Sequence, residues 1–159
     1  NGLILSKSIK MNTSLANMKG ISNGKVIDAD KEYAIAEEYR KKLKTKCPSV
    51  EQNVGNLSGG NQQKVLLAKW MFAEPDILIL DEPTRGIDVG AKYEIYCIIN
   101  DLVAAGKSVI MISSELPEVL GMSDRIYIMN EGRFVGEVGK EEATSELIMS
   151  KIVKSGKGA

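Results

Sequence analysis

Histidine is missing from all 159 residues. Its absence excludes Ser-His-Asp and Cys-His nucleophile chemistry and any histidine-ligated metal. Cysteine is nearly missing: Cys47 and Cys97 stand far apart without metal-ligand spacing, and both are expected as small buried hydrophobes in a reducing cytosol. Net charge is missing as well, because 21 Lys and Arg balance 21 Asp and Glu. A neutral chain offers no broad electrostatic footprint to nucleic acid or anionic lipid. No apolar run approaches the ~20 residues that a membrane helix needs. The first residues show no charged-then-apolar signal pattern either. What is present, 43% hydrophobic and 26% charged residues, is the balance of a globular domain of ordinary size.

Residues 1–23 read as irregular, with a short helix near 14–18. The opening Asn-Gly-Leu-Ile has no initiator Met and reads as a cut through a larger protein. Asp30 is expected to cap a helix running to about Lys46, with Ala34, Ala36, Tyr39 and Leu43 on its apolar side and Pro48 beyond its end. After a Gly-rich turn at 56–60, a second helix over about 61–72 is expected to bury most of Val65, Leu66, Ala68, Lys69 and Trp70. The apolar run 77–80, bounded by Pro75 and Pro83, suits a strand buried on both faces. A helix over 91–104 ends at Gly106, a natural C-cap. Residues 108–112 form another buried strand, and a short helix starts near Pro117. A strand over 126–129 turns through Asn130-Glu131-Gly132 into a further strand over 133–138. A last amphipathic helix carries Leu147, Ile148, Ile152 and Val153. The alternation predicts an α/β fold: a parallel-sheet core over 76–153, a mainly helical subdomain over 1–75, and a loose tail at 154–159.

Two segments carry chemistry. In Ile77-Leu78-Ile79-Leu80-Asp81-Glu82-Pro83-Thr84 an apolar strand ends in two acids, at the sheet edge where open α/β folds bind ligands. Asp81 suits a Mg2+ site, which takes few carboxylates together with water and phosphate oxygens. Glu82 can orient or deprotonate an attacking water. Taken alone, the pair also fits an exposed acidic turn. In Leu57-Ser58-Gly59-Gly60-Asn61-Gln62-Gln63-Lys64, glycines just before a helix let backbone N–H groups converge where the helix end favours an anion. Taken alone, this also fits an ordinary capped helix start.

Together, flanking one helix, the two segments resemble the signature motif and Walker B strand of ATP-binding cassette proteins. Thr84-Arg85-Gly86-Ile87-Asp88 stands where that family has its D-loop, with Asp88 matching the loop's aspartate. The runs 57–64, 81–92 and 113–124 look most like the second cassette of tandem-cassette monosaccharide importers of the ribose, xylose and galactose type, with the galactose/methyl-galactoside subunit nearest. The resemblance implies part of a P-loop NTPase (ABC ATPase) domain, with a signature subdomain at 1–75 beside a RecA-like core at 76–153.

The chain departs from the family pattern twice. No Gly-x-x-x-x-Gly-Lys-Ser/Thr loop is present, and that loop is expected upstream. Gly106-Lys107-Ser108 is a decoy, because it follows a helix and precedes a strand, the reverse of a phosphate loop. Ser114 fills the place of the family's switch histidine, and a hydroxyl cannot carry an imidazolium's charge.

The resemblance further implies head-to-tail pairing with the first cassette of the same polypeptide. Ser58, Gly59, Gly60 and Gln62 would contact ATP held by that partner. Asp81 (Mg2+, through water), Glu82 (catalytic) and Ser114 would face this cassette's own, degenerate site. Membrane permease subunits and, indirectly, a sugar-binding protein are the implied partners, at the cytoplasmic face of the plasma membrane, with no nucleic acid. The isolated chain is expected to be inactive and to bind ATP and Mg2+ weakly, with dimerisation as one way to cover a bare sheet edge. A non-transport ATPase cassette and a catalytically silent interaction module are the alternatives.

Overall fold

The computed structural model describes residues 2–156 and divides into two compact units, one running to Ile110 and the other starting at Met111. This division falls later than the subdomain boundary expected at residue 75.

The first unit opens with order where irregular chain was expected. Helix α1 (Ile9–Ser14) is capped by Ser8, whose Oγ accepts from Met11 N at 3.2 Å. Its polar residues face inward: Asn12, Thr13 and Ser14 are all buried. Asn12 holds the preceding loop, accepting from Ile4 N at 2.8 Å and donating to Ile4 O at 3.0 Å. Ser14 Oγ donates to buried Glu32 at 2.6 Å. An inward face made of Asn, Thr and Ser hides the apolar period by which a helix is read.

A ribbon of β1 (Ser22–Asn23) and β2 (Val26–Ile27), turning at Gly24 with φ +65°, leads into α2 (Ala29–Lys42). The cap of α2 is Asp28, not Asp30: its Oδ1 accepts from Lys31 N at 3.0 Å. The helix stops before Lys46 because Lys44 adopts a left-handed φ of +51°, and Thr45 N turns back to Arg40 O at 2.9 Å. Helix α3 (Gly59–Phe72) follows a turn at 54–56. Ile9, Ala36, Val50, Val54, Leu57 and Val65 form the core between these helices. Val65, Ala68 and Lys69 are buried as expected, whereas Trp70 is exposed, with Lys69 Nζ lying 5.1 Å from its ring centre.

Strand β3 (Ile77–Asp81) leads through α4 (Val89–Ala104) to its neighbour β4 (Ser108–Ile112). Ser108 N donates to Asp76 O at 2.9 Å, joining the starts of the two strands, so they run parallel with α4 as the crossover. Burial of β3 alternates: Leu78 and Leu80 are buried, whereas Ile77 and Ile79 are 58% and 64% exposed. Two-faced burial was expected, but packing covers one face only. Ile110 and Ile112 of β4 are likewise exposed.

The second unit holds α5 (Leu116–Met122), the antiparallel hairpin β5 (Arg125–Asn130) and β6 (Arg133–Gly139), and α6 (Ser145–Gly156). Glu131 and Gly132, at φ +48° and +75°, make the primed turn that matches strand twist. Ile126, Ile128, Val138 and Ile148 pack into one cluster. Helix α6 runs through to Gly156, so it takes in the first residues assigned to the loose tail; 157–159 lie outside the described residues. Among the described residues no helix is long and apolar enough to cross a membrane.

Candidate functional site

Four of the expected residues lie at the start of α3. Ser58 occupies the N-cap with extended backbone (φ −63°, ψ 157°), yet its side chain makes no capping bond. Its Oγ instead accepts from Asn61 Nδ2 at 2.9 Å. The first N–H groups of α3 are thus left without the acceptor that an N-cap serine usually supplies. Gln62 N donates to Ser58 O at 2.9 Å, and its side-chain Nε2 donates to Leu57 O at 3.0 Å. That amide is therefore engaged with its own loop.

The two glycines differ. Gly59 is exposed, and a Cβ there would meet Ile87 Cγ2 at an ordinary 3.4 Å. Gly60 is buried, and a Cβ there would stand 2.6 Å from Ala91 Cβ. Glycine at 60 is thus required by packing against α4.

Asp81 closes β3 and is exposed. Glu82 follows with a left-handed φ of +48°, a conformation in which a non-glycine residue stores strain. Such outliers concentrate where a side chain must be aimed. Pro83 and Thr84 are fully buried and anchor the turn, in which Arg85 N donates to Glu82 O at 3.2 Å. Asp88 caps α4 with Oδ1 2.9 Å from Ala91 N. Through the Gly60–Ala91 approach, the loops at 58–60 and 82–88 are packed side by side in one unit.

The site also contains a residue that the sequence reading passed over. Lys64, one turn below Gly60 on α3, is 2% exposed. Its Nζ lies 2.8 Å from Glu94 Oε2 on α4 and donates to Lys44 O at 3.0 Å. This hydrogen bond holds the Glu94 carboxyl below its ordinary value. A lysine among the buried positions 65, 67 and 68 is the local signal that could have marked it. Both cysteines, expected to be buried, are only half-buried, and at Cys47 burial, opposed by Arg40, pushes the thiol up.

Ser114 belongs to the second unit, where it is exposed. Its neighbour Ser113 donates its hydroxyl to the buried Glu118 and accepts from Glu115 N at 3.0 Å, which fixes the start of α5. The decoy tripeptide is a helix stop: Gly106 sits at φ +85°, Lys107 N donates to Leu102 O at 3.1 Å, and Lys107 Nζ reaches Asp76.

The donor set suits a nucleotide phosphate, because the start of α3 offers unshared N–H groups and the positive end of the helix. It also suits a Mg2+ ion that keeps water and phosphate oxygens, since Asp81 and Glu82 supply carboxylates without a complete cage. Among the described residues no cluster of three or more acidic or cysteine side chains could hold a metal unaided.

The fold, with β3 ending in two acids beside a glycine-led helix, is that of part of an ATP-binding cassette of the P-loop NTPase class. The family model described as "ABC transporter" matches residues 4–85, and the chain belongs to that family. It is 61% identical over 155 residues to the L-arabinose transport ATP-binding protein AraG of Geobacillus stearothermophilus, covering 98% of this chain and 30% of that protein. It is 56% identical over 149 residues to the xylose import protein XylG of Geobacillus kaustophilus, covering 94% and 30%. To the ribose import protein RbsA of Clostridium tetani it is 55% identical over 153 residues, covering 96% and 30%. The chain therefore spans about a third of the length of these relatives. Its fold is similar to the ATP-binding cassette MJ1267 (TM-score 0.79, 22% identity, 97% of this chain and 65% of that one). It is also similar to the cassette MJ0796 in a dimeric post-hydrolysis state bound to ADP and Pi (TM-score 0.73, 22% identity, 87% and 59%).

Proposed function

We propose that this chain is the ATPase part of a monosaccharide importer and forms the second of two cassettes in a longer polypeptide. It works with permease subunits at the cytoplasmic face of the plasma membrane, fed by a sugar-binding protein. Arabinose, xylose and ribose are the sugars in the relatives' names, which supports a monosaccharide cargo; none of them is the galactose that the motif runs suggested. The dimeric MJ0796 cassette supports pairing of cassettes.

One observation carries the reading: α3 starts with its N–H groups uncapped and an exposed Gly59 at its tip. In this reading Ser58, Gly59 and Gly60 present those N–H groups to the γ-phosphate held by the first cassette, and Asp88 lines the same face. Bound Mg2+–ATP supplies the phosphoryl group and the cation that neutralises its charge. Asp81 holds the ion of this cassette's own site through water, and Glu82 orients or deprotonates the attacking water. Ser114, at the switch position, offers a hydroxyl but no positive charge. This cassette's own site is accordingly the weaker one, and its main contribution is made in trans.

The test compares Gly59→Asp with Glu82→Gln in the full-length protein, reconstituted with its permease. Gly59→Asp is preferred to a change at Gly60, which would also strike Ala91. The aspartate sets a negative charge where an anion is to bind, so most turnover should vanish. Glu82→Gln should leave most of it. Equal inactivity of the two variants would show that both sites fire and would overturn the asymmetric reading. The purified 159-residue chain should hydrolyse ATP no faster than buffer.

A further inference from the structure

The contact between α3 and α4 is built as two rungs. In the upper rung Gly60 lies against Ala91, so close that a Cβ on the glycine would come within 2.6 Å. In the lower rung, four residues on along α3 and three along α4, Lys64 Nζ meets Glu94 Oε2 at 2.8 Å. Those spacings place both rungs on one face of each helix. A third tie runs from the same ammonium to Lys44 O at 3.0 Å, just past the end of α2, where the left-handed backbone of Lys44 helps aim the carbonyl inward.

An apolar side chain would fill this position without the cost of enclosing a charge, and buried ion pairs often add little net stability. What an ammonium adds is direction. It fixes α4, through Glu94, and the end of α2, through a carbonyl, at set distances from α3. The upper rung alone is a pivot, since two small residues in contact resist approach but not rotation. The lower rung removes that freedom.

We propose that Lys64 is a positioning residue: by tying α3 to α4 one turn below the Gly60–Ala91 contact, it makes the loops at 58–60 and 82–88 meet the opposing nucleotide as one rigid piece. The proposal rests on the in-trans reading given above. Lys64 touches no substrate in this scheme; it acts through the two loops it holds in register. Its loss therefore weakens an arrangement needed only when the two cassettes close, and it leaves nucleotide capture by the first cassette's own phosphate loop intact.

The experiment uses the full-length protein with its permease in proteoliposomes and reads kcat, KM for ATP and melting temperature for Lys64→Met, Lys64→Arg and Glu94→Gln. Lys64→Met should lower kcat ~10-fold or more with KM changed by less than ~2-fold, the pattern of an interaction made only on the way to the transition state. Lys64→Arg, which can still bridge a carboxylate and a carbonyl, should recover kcat to within ~3-fold of wild type. Glu94→Gln should lower kcat ~3-fold alone and add nothing to Lys64→Met, because members of one unit are non-additive. Wild-type kcat in both Lys64→Met and Glu94→Gln, whatever their melting temperatures, would overturn the proposal. If Lys64→Met does not fold, Glu94→Gln at its half-exposed position decides alone on the same kcat criterion. Gly59→Asp, measured in parallel, separates the two layers. Should it be inactive while Lys64→Met and Glu94→Gln turn over normally, this inference alone falls. Should it turn over normally, the in-trans reading falls and takes this inference with it.

Discussion

Helices α3 and α4 begin side by side, and their first turns are finished in opposite ways. Asp88 has extended backbone and folds its carboxylate onto Ala91 N, so the start of α4 is satisfied within the chain. Ser58 has nearly the same backbone (φ −63°, ψ 157°, against −71° and 162°) and a side chain equally able to cap, yet it turns to Asn61 instead. A missing N-cap bond costs on the order of 1 kcal/mol. Among the described helices α1, α2 and α4 are capped by a side chain, whereas α3 and the short α5 are not; in the function proposed above, the open start of α3 is the one that meets a phosphate.

The largest effect expected from this contrast is on turnover. In the full-length protein, Gly59→Asp at the open helix start should cost ~100-fold or more in ATP hydrolysis, the scale seen when a preorganised charge-stabilising group is lost. Its melting temperature should move little, because the new Cβ meets Ile87 only at ordinary contact distance. Next comes the junction between the two helices. Gly60→Ala drives a methyl against Ala91 and should destabilise by about 1–3 kcal/mol in denaturant unfolding. Ala91→Gly on the same background should restore most of the loss, which would assign the damage to that contact.

The third comparison sets the two caps against each other. Asp88→Ala should cost ~1 kcal/mol, whereas Ser58→Ala, which removes no capping bond, should stay within ~0.5 kcal/mol. Equal losses would erase the distinction between the two helix starts. The smallest effect is on acid stability. The Glu94 carboxyl is held below its ordinary value of 4.5 by Lys64. Its contribution is therefore complete above that value and is lost as pH falls through the lowered folded one. Glu94→Gln should lower stability modestly at pH 7, where that contribution is complete, and flatten the fall in stability below about pH 4.5, where the variant and the wild type converge. The change will be modest because this side chain is 46% exposed.

The same contrast shows how far sequence could be read. The start of α3, the strand ending at Asp81 and the stop at Gly106 were legible because each depends on local chemistry: glycine, an apolar run, a helix C-cap. Asp28 and Asp30 were not separable, since either can cap; the choice depends on how the ribbon at 22–27 delivers the chain. Helix α1 was hidden by inward polar residues whose partners, Ile4 and Glu32, are set by tertiary packing. The run 77–80 announced a strand but not how many of its faces are covered. Gly60 was legible as a glycine at a helix start, but its tight packing against Ala91, thirty-one residues on, was not. Lys64 was invisible as a link because Glu94, its partner, lies a helix, a strand and a loop further along the chain.

The enclosure of Lys64 has a chemical consequence. An amine-acylating reagent modifies exposed lysines directly, but it reaches this Nζ only when α2, α3 and α4 part far enough to admit it. The acylation rate at Lys64, read by peptide mass spectrometry beside an exposed lysine such as Lys41, is therefore a clock for local opening of the three-helix junction under native conditions. A slower clock with ATP present would mean that closure of the cassette pair tightens the junction itself, a response that turnover assays do not report.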